Sequence, residues 1–403
     1  MDPTERLLKE LISIDSVNPT LVPGAAGEAA IARALVQELH HIGLSVEVQE
    51  AAPGRPNVVG ILEGRSSGRS LMFCGHIDTV GVAGMTRPFD PAERNGRIFG
   101  RGSQDMKSGV AAMIGAARVV AESGGLDAGR LVIACVADEE HSSLGAEALV
   151  TKWRADAAVV TEPTDLAVAV AHKGFEWVEI ETEGRAAHGS RPLEGRDAIR
   201  LMARVLNGLD RLDHDLQARP AHVLLGTASL HASLIDGGRE LSSYPDRCHM
   251  QMERRTLPGE APGVSAREVD QIVSELRKAD PDFRASFREM FARSPYELPR
   301  DHALPKAMVR ALHSLSRPLG PPVPPGPPGP PGLPGAPGLP GPPGPIIGMS
   351  FWTDAAILGG AGIPSILFGP TGAGLHSVEE WVDVQSMLTC RDALVALTRD
   401  WCR

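Results

Sequence analysis

Short apolar runs rich in β-branched residues alternate along this chain with segments of helical periodicity. Four such runs are Ser70–Cys74, Leu131–Ala137, Ala157–Thr161 and Ser365–Phe368, and helical patterns such as Val110–Val120 lie between them. Runs that are apolar on both faces are typical of strands covered by helices, so the alternation predicts a largely parallel sheet. In such sheets, ligands gather beyond the carboxyl ends of the strands. We therefore predict an α/β fold with its functional side chains along one rim.

Histidines and carboxylates follow the apolar runs where that rim is expected. They are His76 and Asp78 in GHIDTV, Asp105 in GRGSQDMKSG, Glu139 and Glu140 in CVADEEHSS, Glu162 in VVTEPTD, and His376 in GAGLHSVEE. Each residue alone could be an ordinary loop side chain, and Asp105 alone could be a helix cap. Imidazole and carboxylate groups are ligands of divalent metals, so their joint occurrence at successive strand ends predicts metal-assisted hydrolysis.

The spacing of these residues indicates how they could divide the work. In the H-x-D pair, one residue can bind a metal while the other holds the ring N–H of a ligand. Asp105 lies just before a predicted helix, where a carboxylate can bridge two cations. Glu139 and Glu140 are adjacent and point in different directions, so one can bind metal while the other acts as general base.

The pattern of the chain changes between Gly174 and Phe291. Alternating strand-like runs appear at Phe175–Thr182, His222–Ala232 and Cys248–Arg255, with helical stretches between them. After Phe291 the alternation of apolar runs with helical segments resumes. The intervening stretch is therefore predicted to be an inserted α+β domain. We predict a catalytic domain in two parts, 1–173 and 292–403, and an inserted domain at 174–291.

A Pro/Gly-rich insert interrupts the second part of the predicted catalytic domain at 320–345. Glycine recurs at every third position except where Val323 interrupts the repeat, which is the composition of collagen. A triple helix would need three chains, yet this segment is short and both its ends continue into a folded domain. We favour a solvated, polyproline-like surface loop and keep the triple helix as the alternative.

Composition excludes several classes of function. The net charge of −10 and the lack of a Lys/Arg run argue against nucleic acid or an anionic membrane as a partner. Five scattered cysteines without a C-x-x-C pair argue against a disulfide framework, and a reducing cytoplasm fits best. No apolar stretch is long enough to cross a bilayer. We predict a cytoplasmic protein whose main partner is neither nucleic acid nor a membrane.

Seven stretches of the chain resemble a known family of zinc-dependent amidohydrolases and metallopeptidases. The family contains acetylornithine deacetylase, succinyl-diaminopimelate desuccinylase, aminoacylase and glutamate carboxypeptidase. The matching stretches are GHIDTV, GRGSQDMKSG, DEE, TEPT, GRAAHGSRP, ERRTLPGE and GLHSVEEWV. The resemblance implies a zinc-exopeptidase-like α/β domain that carries an inserted ferredoxin-like α+β lid, through which two chains form a homodimer.

The resemblance also assigns roles at the rim. It implies two divalent metal ions, zinc or alternatively cobalt or manganese, bridged by Asp105. One ion would be completed by His76 and Glu162, and the other by Glu140 and His376. Glu139 would be the general base and Asp78 the partner of His76.

Two residues of the inserted domain match functional positions of the family. His188 in GRAAHGSRP matches a lid histidine that reaches the partner subunit's site and stabilises an oxyanion, although a surface histidine is the alternative. Arg255 in ERRTLPGE matches an arginine that binds the substrate carboxylate, although a salt bridge within the lid is the alternative. The chain departs from the common pattern at Ser242 and at His141, where the family often has asparagine and glycine.

The sequence therefore predicts hydrolysis of the amide bond of an N-acyl amino acid, as in acetylornithine deacetylase or succinyl-diaminopimelate desuccinylase. Two alternatives stay open. One is a dipeptidase or carboxypeptidase-type exopeptidase, and the other is an inactive scaffold that carries the collagen-like segment.

Overall fold

The computed structural model describes residues 1–315 and 346–403, so the Pro/Gly insert predicted at 320–345 lies outside the described residues. The described chain forms two compact units. Among the described residues, unit 1 contains 1–170, 298–315, 346–347 and 353–403, and unit 2 contains 171–297 and 348–352. The predicted boundaries of the inserted domain, 174 and 291, fall inside unit 2. Its assignment as a dimerisation lid stays a prediction.

The described residues contain both helices and strands throughout. The helices are α1 Pro3–Ser13, α2 Ala29–His41, α3 Lys107–Glu122, α4 Leu144–Lys152, α5 Ala198–Ala218, α6 Val264–Ala279, α7 Ala303–Ser314, α8 Ala355–Gly360 and α9 Val384–Trp401. The strands are β1 Ser45–Ala52, β2 Arg55–Glu63, β3 Ser70–His76, β4 Ala92–Arg94, β5 Arg97–Phe99, β6 Arg130–Val136, β7 Ala157–Val160, β8 Val168–His172, β9 Gly174–Glu183, β10 Ser229–Gly237, β11 Arg247–Thr256, β12 Ala285–Arg293, β13 Tyr296–Glu297, β14 Ile346–Met349, β15 Ser365–Leu367, β16 Gly372–Ala373 and β17 Trp381–Asp383. Within the described ranges, no helix combines the length and apolar character needed to span a membrane.

The main sheet of unit 1 has the strand order β1-β2-β6-β3-β7-β15-β8. Its four central strands, β6, β3, β7 and β15, run parallel, and the strands outside them pair antiparallel. All of β3 is buried, as is β6 from Leu131 onward. Such burial stabilises by about 1.5–3 kcal/mol for each large apolar side chain. The prediction of a mostly parallel sheet covered by helices is confirmed.

The register of the central strands brings three chain segments to the same rim. His76 ends β3 opposite Val136 at the end of β6, and Cys74 lies opposite Val160 at the end of β7. Because these strands are parallel, the residues that follow them leave the sheet on the same side. The candidate metal residues of β3 and of the loops after β6 and β7 are therefore neighbours.

Unit 2 contains a four-stranded antiparallel sheet in the order β10-β11-β9-β12. Its chain order, β9-α5-β10-β11-α6-β12, is the βαββαβ arrangement of ferredoxin-like folds. A buried cluster that includes Val178, Met202, Met250 and Val273 joins the sheet to both helices. The inserted unit has the α+β fold that the sequence predicted.

One strand of unit 2 was predicted in the wrong place. The run His222–Ala232 was expected to be extended, whereas β10 begins only at Ser229. His222 and Gly226 exchange backbone hydrogen bonds of 2.8 and 3.0 Å across a tight turn. Gly226 has a φ of 69°, a conformation that glycine adopts readily, and it lets the chain reverse there.

Candidate metal centre

His76 is buried on one side of the rim, close to three carboxylates. Its Nε2 lies 3.1 Å from Asp105 Oδ1, 3.8 Å from Glu162 Oε1 and 3.9 Å from Glu139 Oε2. Its Nδ1 lies 3.0 Å from the carbonyl oxygen of Asp78, which fixes the orientation of the ring. One ring nitrogen is therefore directed at three carboxylates, as in a metal ligand whose other nitrogen is hydrogen-bonded.

His376 is the hub of the other side of the rim. Its Nε2 lies 3.1 Å from Glu140 Oε2 and 3.3 Å from Asp105 Oδ2. Its side chain is 56% exposed, so this side of the centre is open to solvent. His376 has a φ of 56°, a left-handed conformation that non-glycine residues adopt at some cost and that is frequent at functional sites.

Asp105 joins the two sides. Its Oδ1 faces His76 and its Oδ2 faces His376, so each carboxylate oxygen serves a different imidazole. Burial opposes ionisation of this carboxyl group, but hydrogen bonds with His376 and His76 lower its pKa below the ordinary value. An ionised carboxylate with its oxygens divided in this way is suited to bridging two cations.

The remaining carboxylates are crowded. Burial raises the pKa of Glu139 and of Glu162 well above the ordinary value and that of Glu140 to about 7, and neighbouring carboxylates add to each rise. Glu140 Oε1 has no hydrogen-bond partner within residues 1–315 and 346–403. Buried carboxylates this close repel one another unless a cation or a proton lies between them.

The donor set fits a divalent metal ion. His76, Glu139 and Glu162 offer ligand atoms within 4.8 Å of one another, and so do His76, Asp105 and Glu140. Imidazole nitrogen with carboxylate oxygen suits zinc, and also cobalt or manganese. A bound cation would reduce the repulsion between these carboxylates and would give Glu140 Oε1 a partner.

Asp78 lies beside His76, as the sequence spacing indicated, but its carboxylate has further partners. Oδ1 accepts a hydrogen bond from the backbone N–H of Glu139 at 3.1 Å, and Oδ2 accepts one from that of Glu140 at 3.2 Å. The same carboxylate lies 3.6 Å from His76 Nδ1, farther than the Asp78 carbonyl oxygen. Asp78 therefore holds the turn that carries the two glutamates as well as the imidazole.

A buried polar network behind that turn was not found from the sequence. Asn18 Nδ2 donates to Asp78 Oδ2 at 2.8 Å and to Asp138 Oδ1 at 3.0 Å. Arg55 Nη2 donates to the same Asp138 oxygen at 2.7 Å. Arg55 also forms two hydrogen bonds with the carboxylate of Glu28. These partners are 27 to 120 residues apart in the chain, and no local pattern signals such pairs.

His188 and Arg255 belong to unit 2, where each has a local partner. The imidazole Nδ1 of His188 lies 2.8 Å from Ser190 Oγ on an exposed loop. Arg255 Nε donates to Glu253 Oε1 at 2.6 Å, and its guanidinium lies 5.5 Å from the ring centre of Phe175. The roles of both residues stay predictions.

Comparison with known proteins places this centre in a family. The model of Peptidase family M20/M25/M40 matches residues 72–330, well over half of the chain. This chain belongs to the M20/M25/M40 peptidase family. The resemblance drawn from the motifs is confirmed, and the protein is a hydrolase of amide or peptide bonds.

Similar proteins within the family carry the names of different activities. The chain is 28% identical to an N-formyl-4-amino-5-aminomethyl-2-methylpyrimidine deformylase of Bacillus subtilis, with 98% of this chain and 94% of the relative covered. It is 31% identical to an acetylornithine deacetylase of Proteus mirabilis, with 74% and 78% covered. The crystal structure of the aminopeptidase PepT of Bacillus cereus matches with a TM-score of 0.77 at 17% identity, covering 100% of this chain and 98% of that one. Because the identity to PepT is low, that match supports the fold alone.

Proposed function

We propose that this M20-family hydrolase is a two-metal amidohydrolase that cleaves the amide bond of an N-acyl amino acid, with an acetylornithine-like compound as the first candidate. The observation that carries the proposal is the division of the Asp105 oxygens between His76 and His376. A carboxylate shared in this way, with other carboxylates around it, supports a centre for two cations. The similarity to acetylornithine deacetylase supports the substrate class.

The side chains around Asp105 divide into two ligand sets in this proposal. His76 and Glu162 would hold one ion, Glu140 and His376 would hold the other, and Asp105 would be shared between the two sets. When bound, two divalent ions supply Lewis-acid polarisation of the scissile carbonyl and lower the pKa of the attacking water. The open side near His376 gives a substrate access to the centre.

Glu139 is the proposed general base of the reaction. Its Oε2 lies 3.9 Å from His76 Nε2, about as near as Glu162 Oε1 at 3.8 Å, so the Glu139 carboxylate lies among the candidate ligand atoms. The family resemblance assigns it the role of general base. In this proposal the Glu139 carboxylate would accept a proton from the attacking water and pass it to the leaving amine. Asp78 fixes the backbone of Glu139 and thereby the position from which the proton moves.

We extend the proposal to unit 2. His188 would stabilise the oxyanion of the tetrahedral intermediate in the partner subunit's site, and Arg255 would bind the substrate carboxylate through its planar guanidinium. The exposed loop position of His188 supports reach beyond its own unit. The contact of Arg255 with Glu253 supports the competing salt-bridge role. Substrates with and without a free carboxylate distinguish the two roles.

We also propose that the enzyme is a cytoplasmic homodimer. Strand β10 is an edge strand of the unit 2 sheet, and its Leu234 and Ile235 are 65% and 57% exposed. An exposed apolar edge strand is a ready site for pairing with a second copy. All five cysteines are free and buried, which agrees with a reducing compartment.

A second candidate function is hydrolysis of an N-formyl group attached to an aminomethylpyrimidine. The observation that favours it is the deformylase match, which covers nearly all of both chains. The same metal centre would serve, because a formamide is also an amide. The two candidates differ in the leaving amine, which bears a carboxylate in one case and a heterocycle in the other.

A substrate panel tests the proposal. Protein stripped with a chelator and reloaded with zinc or cobalt would be given N-acetyl, N-succinyl and N-formyl amino acids, dipeptides and the N-formyl aminomethylpyrimidine. The proposal predicts metal-dependent turnover with the highest kcat/KM for an N-acyl amino acid. A preference for the pyrimidine would establish the second candidate, and a preference for dipeptides would establish an exopeptidase. No turnover by the metal-loaded protein would support an inactive scaffold.

A further inference from the structure

A buried ion pair between Arg101 and Glu380 lies next to the candidate ligands without being one of them. The Arg101 side chain is 3% exposed and that of Glu380 is fully buried. Arg101 Nη1 donates to Glu380 Oε2 at 2.6 Å, and the N–H of Gly102 donates to the same oxygen at 3.0 Å. The other oxygen, Oε1, accepts from the N–H groups of Gln104 at 2.8 Å and Asp105 at 3.0 Å. One carboxylate therefore fixes the backbone that carries the bridging residue.

Arg101 extends the contact to two further loops. Its Nη2 donates to the carbonyl oxygen of Gly81 at 3.1 Å and to that of Ser377 at 3.0 Å. Gly81 belongs to the loop that follows His76, and Ser377 follows His376 directly in sequence. The pair thus bonds to the loops that carry His76, Asp105 and His376, although Arg101 and Glu380 are 279 residues apart in the chain.

A gain in folding stability does not by itself explain why a buried ion pair is present at this place. Moving two charges out of water costs several kcal/mol for each ion, and their attraction often does no more than offset that cost. A buried pair does, however, impose a unique arrangement on the groups that hydrogen-bond to it. Here the groups so arranged are the backbones on both sides of the candidate metal centre.

We propose that the Arg101–Glu380 pair is a positioning element that sets the spacing between the His76 side and the His376 side of the centre through the backbone of Asp105. The inference rests on the proposed two-metal function. Neither side chain is placed to touch the reacting atoms, so the pair acts through the ligands. Loss of a group that orients metal ligands lowers metal affinity by about 10- to 100-fold.

The test is Glu380→Gln, because the glutamine oxygen can face only one of the two donor pairs now served by the carboxylate. Metal affinity would be measured by competition of stripped protein with a chromophoric chelator for Zn²⁺. Amide hydrogen exchange of the metal-free protein would be measured at Gly102, Gln104 and Asp105. The matched control is Glu176→Gln, a buried glutamate of unit 2 that accepts backbone N–H groups from Gly263 and Ser265.

The proposal predicts faster exchange at the three amides and zinc binding weaker by about 10- to 100-fold in Glu380→Gln, with neither effect in Glu176→Gln. Faster exchange with unchanged zinc affinity would overturn it, since the pair would then be structural only. If Glu380→Gln does not fold, the double variant Arg101→Gln/Glu380→Gln removes both charges and carries the same prediction. Absence of zinc binding by the parent protein would instead refute the proposed function, so the two failures are distinguishable.

Discussion

The candidate metal centre of unit 1 and the candidate residues of unit 2 are held in different ways. At the centre, buried side chains from distant parts of the chain converge, and Asp105 alone contacts residues 29 and 271 positions away. In unit 2, His188 is bonded to Ser190 and Arg255 to Glu253, each two residues away. Convergence of imidazole and carboxylate groups from distant segments on one point supports a metal site. A local contact is equally compatible with a functional side chain and with a surface one.

The largest expected effect tests the centre through Glu139. We expect Glu139→Gln to lower kcat by about 10²- to 10⁴-fold, because the amide cannot accept the proton of the attacking water. Steady-state kinetics on the best substrate of the panel would measure the loss. Glu63→Gln, an exposed change at the end of β2, is the control. Full activity of Glu139→Gln would contradict its assignment as general base.

His188 tests whether a residue of unit 2 is also catalytic. We expect His188→Ala to lower kcat by about 10²- to 10³-fold, the range for removal of one oxyanion donor. The exposed His214→Ala of α5 is the control. Mixing inactive His188→Ala with inactive Glu139→Gln under subunit exchange should restore partial activity, because one mixed site then holds both intact residues. Demonstrated exchange without recovery would count against action across a dimer.

A smaller effect is expected at Arg255. We expect Arg255→Gln to lower kcat/KM by roughly 10- to 150-fold for substrates with a free carboxylate, since a hydrogen bond to a charged group contributes about 1.5–3 kcal/mol. Carboxamide analogues of the same substrates should be affected much less. Arg247→Gln, on the same strand and bonded to Glu181, is the control. Equal losses for both substrate types would favour the salt bridge with Glu253 as the main role.

The smallest effect is expected from the Pro/Gly insert. Deleting residues 321 to 344 should leave metal content unchanged and kcat/KM within about threefold of the parent, a difference below about 1 kcal/mol. The sequence of the insert offers few large apolar groups for packing, and loop length has a weak effect on folding free energy, about 0.6 kcal/mol for each doubling. Collapse of activity on deletion, or a trimer of the intact protein with a collagen-like melting transition, would show that the insert is structural.

The residues of the rim could be predicted because two local signals coincide there. Each apolar run predicts where a parallel strand ends, and a histidine or carboxylate just beyond it, such as His76 or Glu162, marks the chemistry. The inserted α+β domain could be predicted from alternating runs and helical periods, whereas its ferredoxin-like arrangement was implied by the family resemblance. The prediction of a strand at His222–Ala232 was wrong at its start, where Gly226 permits a turn. A short apolar run does not show whether the chain is extended throughout or turns before the strand begins.

The supports of the rim could not be predicted. Arg101 and Glu380 lie in stretches that were matched as motifs, yet nothing in either stretch indicates that their side chains meet. The same holds for Asn18, whose amide joins Asp78 to Asp138. Such contacts follow from the tertiary fold, since they pair residues far apart in the chain. Sequence patterns therefore indicate the candidate ligands and miss the groups that hold them in place.

Metal content distinguishes a rim that binds two divalent ions, with Glu140 and not Glu139 as a ligand, from other arrangements. Metal-stripped parent, Glu139→Gln and Glu140→Gln proteins would be reloaded with zinc, desalted and analysed for bound metal by plasma mass spectrometry. We predict two zinc ions per chain in the parent and in Glu139→Gln, and fewer in Glu140→Gln because a ligand of one ion is lost. Equal metal loss in both variants, or a parent that retains no zinc, would contradict the account.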